Sequence, residues 1–240
     1  MFLVLAVVAL VGLIGSAIFS AVQPRDVVVA VAPAPIKTMM PTLMPVPTST
    51  PAPTLTPLPP PVALVAGHSG GADTGAICPD GLREVDVTTD VAKRAKMLLE
   101  LRGYRVDILA EFDSRLNATK RDYAPRAFLA IHVDSCVYYA SGYKVARASN
   151  SAVPHEDDRL ARCVSKTYAA ATQLPLHEGS ITTDMTQYHA LNEIDAKSPA
   201  AIIELGFLGS DKDLLTNKRD MIALGIMNGI DLFLKGNACQ

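Results

Sequence analysis

The chain has 240 residues and a formal net charge of −2 at pH 7, with 22 basic against 24 acidic side chains and no tryptophan. A charge this close to zero offers nothing to a polyanion, and 5% aromatic content supplies no base-stacking surface, so a nucleic-acid partner is not expected. The composition is uneven. The first 61 residues hold 12 of the 17 prolines and only Arg25, Asp26 and Lys37 as charged groups, whereas residues 62–240 carry a normal charged fraction and suffice for one domain with a sizeable core.

Met1 to Val22 is an unbroken run of apolar and small residues. About 20 such residues cross a bilayer, so residues 1–23 read as a transmembrane anchor or as a signal segment. No Lys or Arg precedes the run, which favours an anchor over a cleaved signal, although Ala30-Val31-Ala32 offers a cleavage-type site downstream. Arg25 and Lys37 after the run cast a weak vote for a cytoplasmic C-terminal side. Residues 24–61 form a Pro/Thr-rich linker. Proline fixes φ and removes donors, so the segment is expected to be an extended spacer, reaching on the order of 90 Å.

From residue 62 the pattern alternates strand with helix. Val62–Ala66 is a short apolar run ending in a Gly-rich loop, as a buried parallel strand does. Glu84 to Arg102 carries Val87, Val91, Ala95 and Leu98 at helical spacing, with Gly103 as the stop. Strands are expected over 104–109, 127–133, 143–148 and 200–204. A helix is expected from Pro154 to about Thr172, with Leu160, Val164, Tyr168 and Ala171 on one face. Ser210-x-x-Asp213 has the form of a capping box. A last helix is expected over about 218–235, with Ala223, Ile226, Met227, Ile230 and Phe233 as its stripe. The domain is assigned to 62–236, with 237–240 as a tail.

This alternation predicts an α/β domain with helices on both faces of a mostly parallel sheet. Ligands gather at the carboxyl ends of such strands. His68, His132 and Glu204 all fall at or near such ends, and Glu84 falls in the first turn of the helix after the first loop. Two imidazoles and a carboxylate are a known three-ligand set for a hydrolytic zinc. The separations along the chain are long, so spacing alone is weak support. Each residue also has a plainer reading: His68 as a loop histidine, Glu84 as an acid favouring a helix N-terminus, His132 as a satisfied core residue. Glu204 is harder to dismiss, because burying an unpaired carboxylate is costly. His155, His177 and His189 read as non-ligands, with His189 the one placed to line a cleft. Asp73 and Asp134 read as groups supporting the ligands rather than as ligands.

Four segments occur in order: Val65-Ala-Gly-His68-Ser-Gly-Gly71-Ala-Asp-Thr-Gly-Ala76, Arg83-Glu84-Val-Asp-Val87, Ala130-Ile-His132-Val-Asp134 and Pro199-Ala-Ala-Ile-Ile-Glu204-Leu-Gly-Phe-Leu-Gly209. Together they resemble the zinc-dependent N-acetylmuramoyl-L-alanine amidases of the amidase_3 type, over essentially all of residues 62–235. The resemblance implies a sheet of about six strands, Zn²⁺ held by His68, Glu84 and His132, and Glu204 as the catalytic carboxylate. It implies hydrolysis of the amide between N-acetylmuramic acid and L-alanine in peptidoglycan. A non-catalytic wall-binding domain on the same fold, or a zinc hydrolase of another amide, are the alternatives. The pattern departs at Val65, at Ser69, at Asp134 where the family has Asn, and in a shortened segment from Arg115 to Asp122. No long insertion between Ser135 and Pro199 suggests a built-in inhibitory helix. The protein is expected outside the cytoplasm in the cell envelope, held to the membrane by its N-terminal segment or secreted, as a monomer acting on peptidoglycan.

The four cysteines allow disulfides in an exported domain. Cys78 lies shortly before Glu84 and Cys136 shortly after His132, so a shared metal would bring the two sulfurs together as a bridge. The alternative is that Cys163, with or without Cys136, is a small buried hydrophobe. No Cys-x-x-Cys pair is present, which argues against a thiolate zinc site.

Overall fold

A computed structural model describes residues 58–240; the expected anchor and most of the linker lie outside the described residues. Among the described residues no helix is long and apolar enough to cross a membrane. Five strands form the sheet: β1 (Val62–Ala66), β2 (Val106–Leu109), β3 (Ala127–Asp134), β4 (Lys144–Ala146) and β5 (Ala200–Phe207). Their order is β2-β1-β3-β5-β4, parallel except for β4, which runs antiparallel to β5. The expected sixth strand is not found among the described residues. Apolar runs account for five strands, and those five fill the sheet.

The helices with clear apolar stripes formed where expected: α1 (Glu84–Leu101), α2 (Pro154–Thr172) and, at the C-terminus, α6 (Arg219–Leu234). Val87, Val91, Ala95 and Leu99 of α1 are fully buried, as are Leu160, Val164 and Tyr168 of α2. α1 starts without a side-chain cap. Instead the loop before it supplies backbone acceptors, with Glu84 N–H donating to Ala76 O at 2.9 Å and Val85 N–H to Thr74 O at 3.2 Å. Short helices α3 (Thr183–Thr186), α4 (His189–Glu193) and α5 (Lys212–Asn217) complete the domain. The expected capping box at Ser210–Asp213 does not form. Asp211 sits between them and turns inward, where its Oδ2 accepts from Phe207 N–H and Gly142 N–H.

The three long helices all cover one face. Val62, Leu64, Leu129, Ile131, Ile203 and Leu205 point into that core, with the stripes of α1, α2 and α6. Gly229 lets α6 approach α2 closely, since a Cβ there would stand 2.6 Å from Val164 Cα. The opposite face carries Ala63, Val65, Phe128, Ala130, Ala200 and Ile202, and is covered by Met185, Ala190, Leu191 and Ile194 from the α3–α4 region and by Leu116 and Tyr123 from the loop after β2, with no long helix among the described residues. Alternation along β3 and β5 puts His132 and Glu204 on this second, thinly covered face. Two disulfides staple the fold, Cys78–Cys136 as expected and Cys163–Cys239, which overturns the reading of Cys163 as a lone buried hydrophobe. The second bridge ties the last residues of the chain to α2.

Candidate metal centre

The direction of chain progression reverses between β1 and β3: β2 follows β1 on one side and β3 lies on the other. Open parallel sheets bind ligands at such a switch point, beyond the carboxyl ends of the strands. His68 follows β1 and His132 lies near the end of β3, so the two imidazoles meet there, ring centroids 5.1 Å apart and edge-on. Glu84, in the first turn of α1, enters from the side of the loop and is 4% exposed. One ligand atom from each of His68, Glu84 and His132 lies within 4.8 Å of the others.

Glu84 sits at the middle of the cluster. Its Oε1 accepts from Val133 N–H at 2.9 Å and stands 3.1 Å from His132 Nδ1. Its Oε2 accepts from Ala76 N–H at 3.0 Å and stands 3.4 Å from His68 Nε2. The two imidazoles thus approach different oxygens of one carboxylate, and the three residues could together hold one metal ion. The far nitrogen of His68 bonds Asp73 Oδ2 at 2.9 Å, which directs Nε2 at Glu84. Asp73 thus lies on a loop and orients the His68 ring.

The charges agree with a site built for a cation. Without a metal the Glu84 carboxylate raises His68 to about 9. Burial works to raise Glu84, but its bonds to His132 and His68 outweigh that and hold it at about 2. His132 is also raised: burial opposes, and Glu84, Glu204 and Glu111 prevail.

Glu204 pairs in register with His132 on one side and Lys144 on the other, so the three side chains form a row across β3, β5 and β4. Glu204 Oε2 is buried and finds no hydrogen-bond partner among the described residues. Burial pushes its carboxyl up to about 7. It borders a cavity of about 320 Å³ with His132, walled by Lys144, Asp184, Met185 and Tyr188. A second cavity, about 440 Å³, opens on the other side of His68 beside Asp73, Arg83 and Asp86. One cleft thus borders His68 and the other borders His132 and Glu204.

All four expected residues come together. The family-divergent Asp134 pairs with Lys144, a buried lysine whose Nζ also donates to Ser180 O. His177 and His155 lie outside the cluster, His177 on Ser180 Oγ and His155 exposed beside Glu156. His189 does reach the site, but through a residue that the motifs do not single out. Glu111, two residues beyond β2, is 8% exposed and bonds His189 Nε2, Tyr188 OH and the His68 backbone N–H. Its position after β2 matches that of His68 after β1, and that equivalence was the available signal.

The family model described as N-acetylmuramoyl-L-alanine amidase matches residues 62–231. The probable cell wall amidase LytH of Staphylococcus saprophyticus is 26% identical over 175 residues, covering 70% of this chain. The chain spans 56% of the length of that relative. Among solved structures, the amidase Ami1 from Mycobacterium smegmatis superposes with a TM-score of 0.62 at 21% identity, over 74% of this chain and 98% of that one. The CwlD amidase from Clostridioides difficile, solved with the GerS lipoprotein, gives 0.58 at 21%, over 75% and 100%. AmiC2 of Nostoc punctiforme gives 0.58 at 22%, over 73% and 97%. These likenesses establish the fold, and the family match over most of the chain establishes membership: the protein belongs to the N-acetylmuramoyl-L-alanine amidase family.

Proposed function

We propose that this protein hydrolyses the amide between the lactyl group of N-acetylmuramic acid and the L-alanine of the peptidoglycan stem peptide. The observation that carries the reading is the convergence of His68, Glu84 and His132 next to an unpartnered buried carboxylate, Glu204, at the base of an open cleft. His68, Glu84 and His132 would hold zinc, which in such sites supplies an activated water and polarises the amide carbonyl.

The residues of the chain then divide the work. Glu204 needs to be ionised to accept a proton from the attacking water, and protonated to hand it to the departing alanine nitrogen. Burial of the side chain works against its charge, which favours the return of a proton once one has been accepted. Thin cover on this face of the sheet keeps His132 and Glu204 within reach of a large substrate. The two clefts that border the cluster suit a substrate with two arms, glycan and peptide.

The two disulfides support work in an oxidising compartment outside the cytoplasm. In this reading residues 1–23 anchor or export the chain, and the proline-rich linker lets the domain reach the wall.

The test is to incubate the purified protein with peptidoglycan and follow newly exposed alanine amino groups and zinc content. Wild type is expected to release amino groups without new reducing ends. Glu204→Ala is expected to keep its zinc and release none. Wall binding without release, or release only from unrelated amides, overturns the proposal.

A further inference from the structure

Glu111 is the one buried carboxylate at the cluster with no part in the scheme above. Its two oxygens face different groups. Oε1 accepts from Tyr188 OH at 2.8 Å and stands 3.0 Å from His189 Nε2. Oε2 accepts from the His68 backbone N–H at 2.7 Å and stands 3.7 Å from His132 Nε2. The His132 ring thus has one nitrogen on each side of a divide. Nδ1 faces Glu84, the shared ligand, while Nε2 faces Glu111. That Nε2 is buried and finds no hydrogen-bond partner among the described residues.

A gap of 3.7 Å exceeds the 2.7–3.2 Å of an N–H···O bond, so the contact is electrostatic. Glu84 Oε1, 3.1 Å from Nδ1, competes for the ring proton, but with a metal ion held between Nδ1 and Glu84 only Nε2 would still face a free carboxylate, and the electrostatics would then select a tautomer. A bare nitrogen lone pair pointing at a carboxylate oxygen is repulsive; an N–H there is attractive. With the proton on Nε2, the lone pair sits on Nδ1, on the side of Glu84 and His68. Metal-binding histidines are commonly fixed in this way, the other ring N–H held by a carboxylate. The same oxygen also bonds the backbone of His68, whose φ of 60° is left-handed and unusual for a residue with a side chain.

We propose that Glu111 is a positioning residue for the metal centre: through Oε2 it fixes the Nε2–H tautomer of His132 and the backbone of His68, so that one carboxylate aims two of the three metal ligands. Tyr188 and His189, on the Oε1 side, hold that carboxylate in place and connect it to the wall of the cleft. This rests on the zinc amidase reading.

The test needs no substrate. The zinc-loaded wild type, with ¹⁵N-labelled histidine, is examined by long-range ¹⁵N–¹H NMR, and zinc affinity is measured by chelator competition for wild type, Glu111→Gln and Glu111→Asp. His132 is expected to bind through Nδ1 with the proton on Nε2. Glu111→Gln is expected to lose about 10–100-fold in zinc affinity while the metal-free protein still folds by circular dichroism, and Glu111→Asp to recover part of the loss. Binding of His132 through Nε2 overturns the proposal without any variant. Unchanged affinity in Glu111→Gln also overturns it and leaves the amidase reading intact. A wild type that binds no zinc overturns both.

Discussion

The Cys78–Cys136 bridge does more than shorten the unfolded chain. Two backbone groups clasp the Glu84 carboxylate, the N–H of Ala76 and the N–H of Val133. Cys78 lies two residues past the first and Cys136 three past the second, so the bridge fastens together the two segments that hold this carboxylate. Consider the double variant Cys78→Ala/Cys136→Ala. The cross-link spans a sequence separation of 58 residues, for which chain entropy gives a loss of at most about 4 kcal/mol. In a domain of this size each kcal/mol moves the melting temperature by about 2–4 °C, so a drop on the order of 10 °C is expected. The comparison is to be made in chelator, because a bound metal adds its own stabilisation. The second bridge provides the control. Cys163–Cys239 spans 76 residues, so its removal should destabilise by about as much, yet it ties the chain end to α2 and touches none of the ligands. Both double variants are therefore expected to lose stability in urea denaturation, but only the first to lose zinc affinity, by about tenfold, as when groups supporting ligands are removed. Equal zinc affinities in the two variants would refute the clasp argument. A change in stability under about 0.5 kcal/mol in either would refute the chain-entropy magnitude.

Zinc affinity should also depend on pH with a definite sign. His68 in the metal-free protein stays protonated up to about 9 and must lose that proton to bind, so affinity falls as pH falls. Chelator competition between pH 6 and 8 should show at least about one decade per pH unit, and a flat profile would contradict the assignment. Gly67→Ala should displace His132, because a Cβ at 67 would stand 2.4 Å from its Cε1; the expected outcome is a folded protein by circular dichroism with greatly weakened zinc binding. Asp73→Ala should weaken zinc by less than about tenfold, since this partner of His68 is exposed to water; a loss as large as that from a missing ligand would mean Asp73 does more than orient the ring.

How far the sequence reveals this site depends on how local each signal is. The periodicities at 84–102 and 154–172 located α1 and α2 to within a residue or two, because an apolar stripe and a Pro or Gly at the boundary are properties of the segment itself. The cluster of His68, Glu84 and His132 beside Glu204 was legible as a candidate because each residue is attached to the end of a recognisable element, and because the resemblance supplied their pairing. The capping box failed for a nonlocal reason. Asp211 is drawn inward by the N–H groups of Phe207 and Gly142, the second of which is 69 residues distant. Cys163 gave no hint of its partner, since Cys239 reaches it only after α6 has folded along α2.

The asymmetry of the two sheet faces was equally hidden, and it decides what the site can do. A helical stripe states that a helix packs against something, not which face it takes. α1, α2 and α6 all take the face opposite His132 and Glu204. Had one of them crossed to the other side, the row Lys144–Glu204–His132 would lie under a helix and the carboxylate would be sealed from a polymeric substrate. With short α3 and α4 and the loop after β2 as its cover, that face instead leaves the carboxyl ends of β3 and β5 open. It also brings Tyr188 and His189 from the same short segment onto Glu111. Access to the cleft and support of the ligands thus come from one stretch of chain. That is why a residue outside every recognisable motif, Glu111, lies at the junction between them.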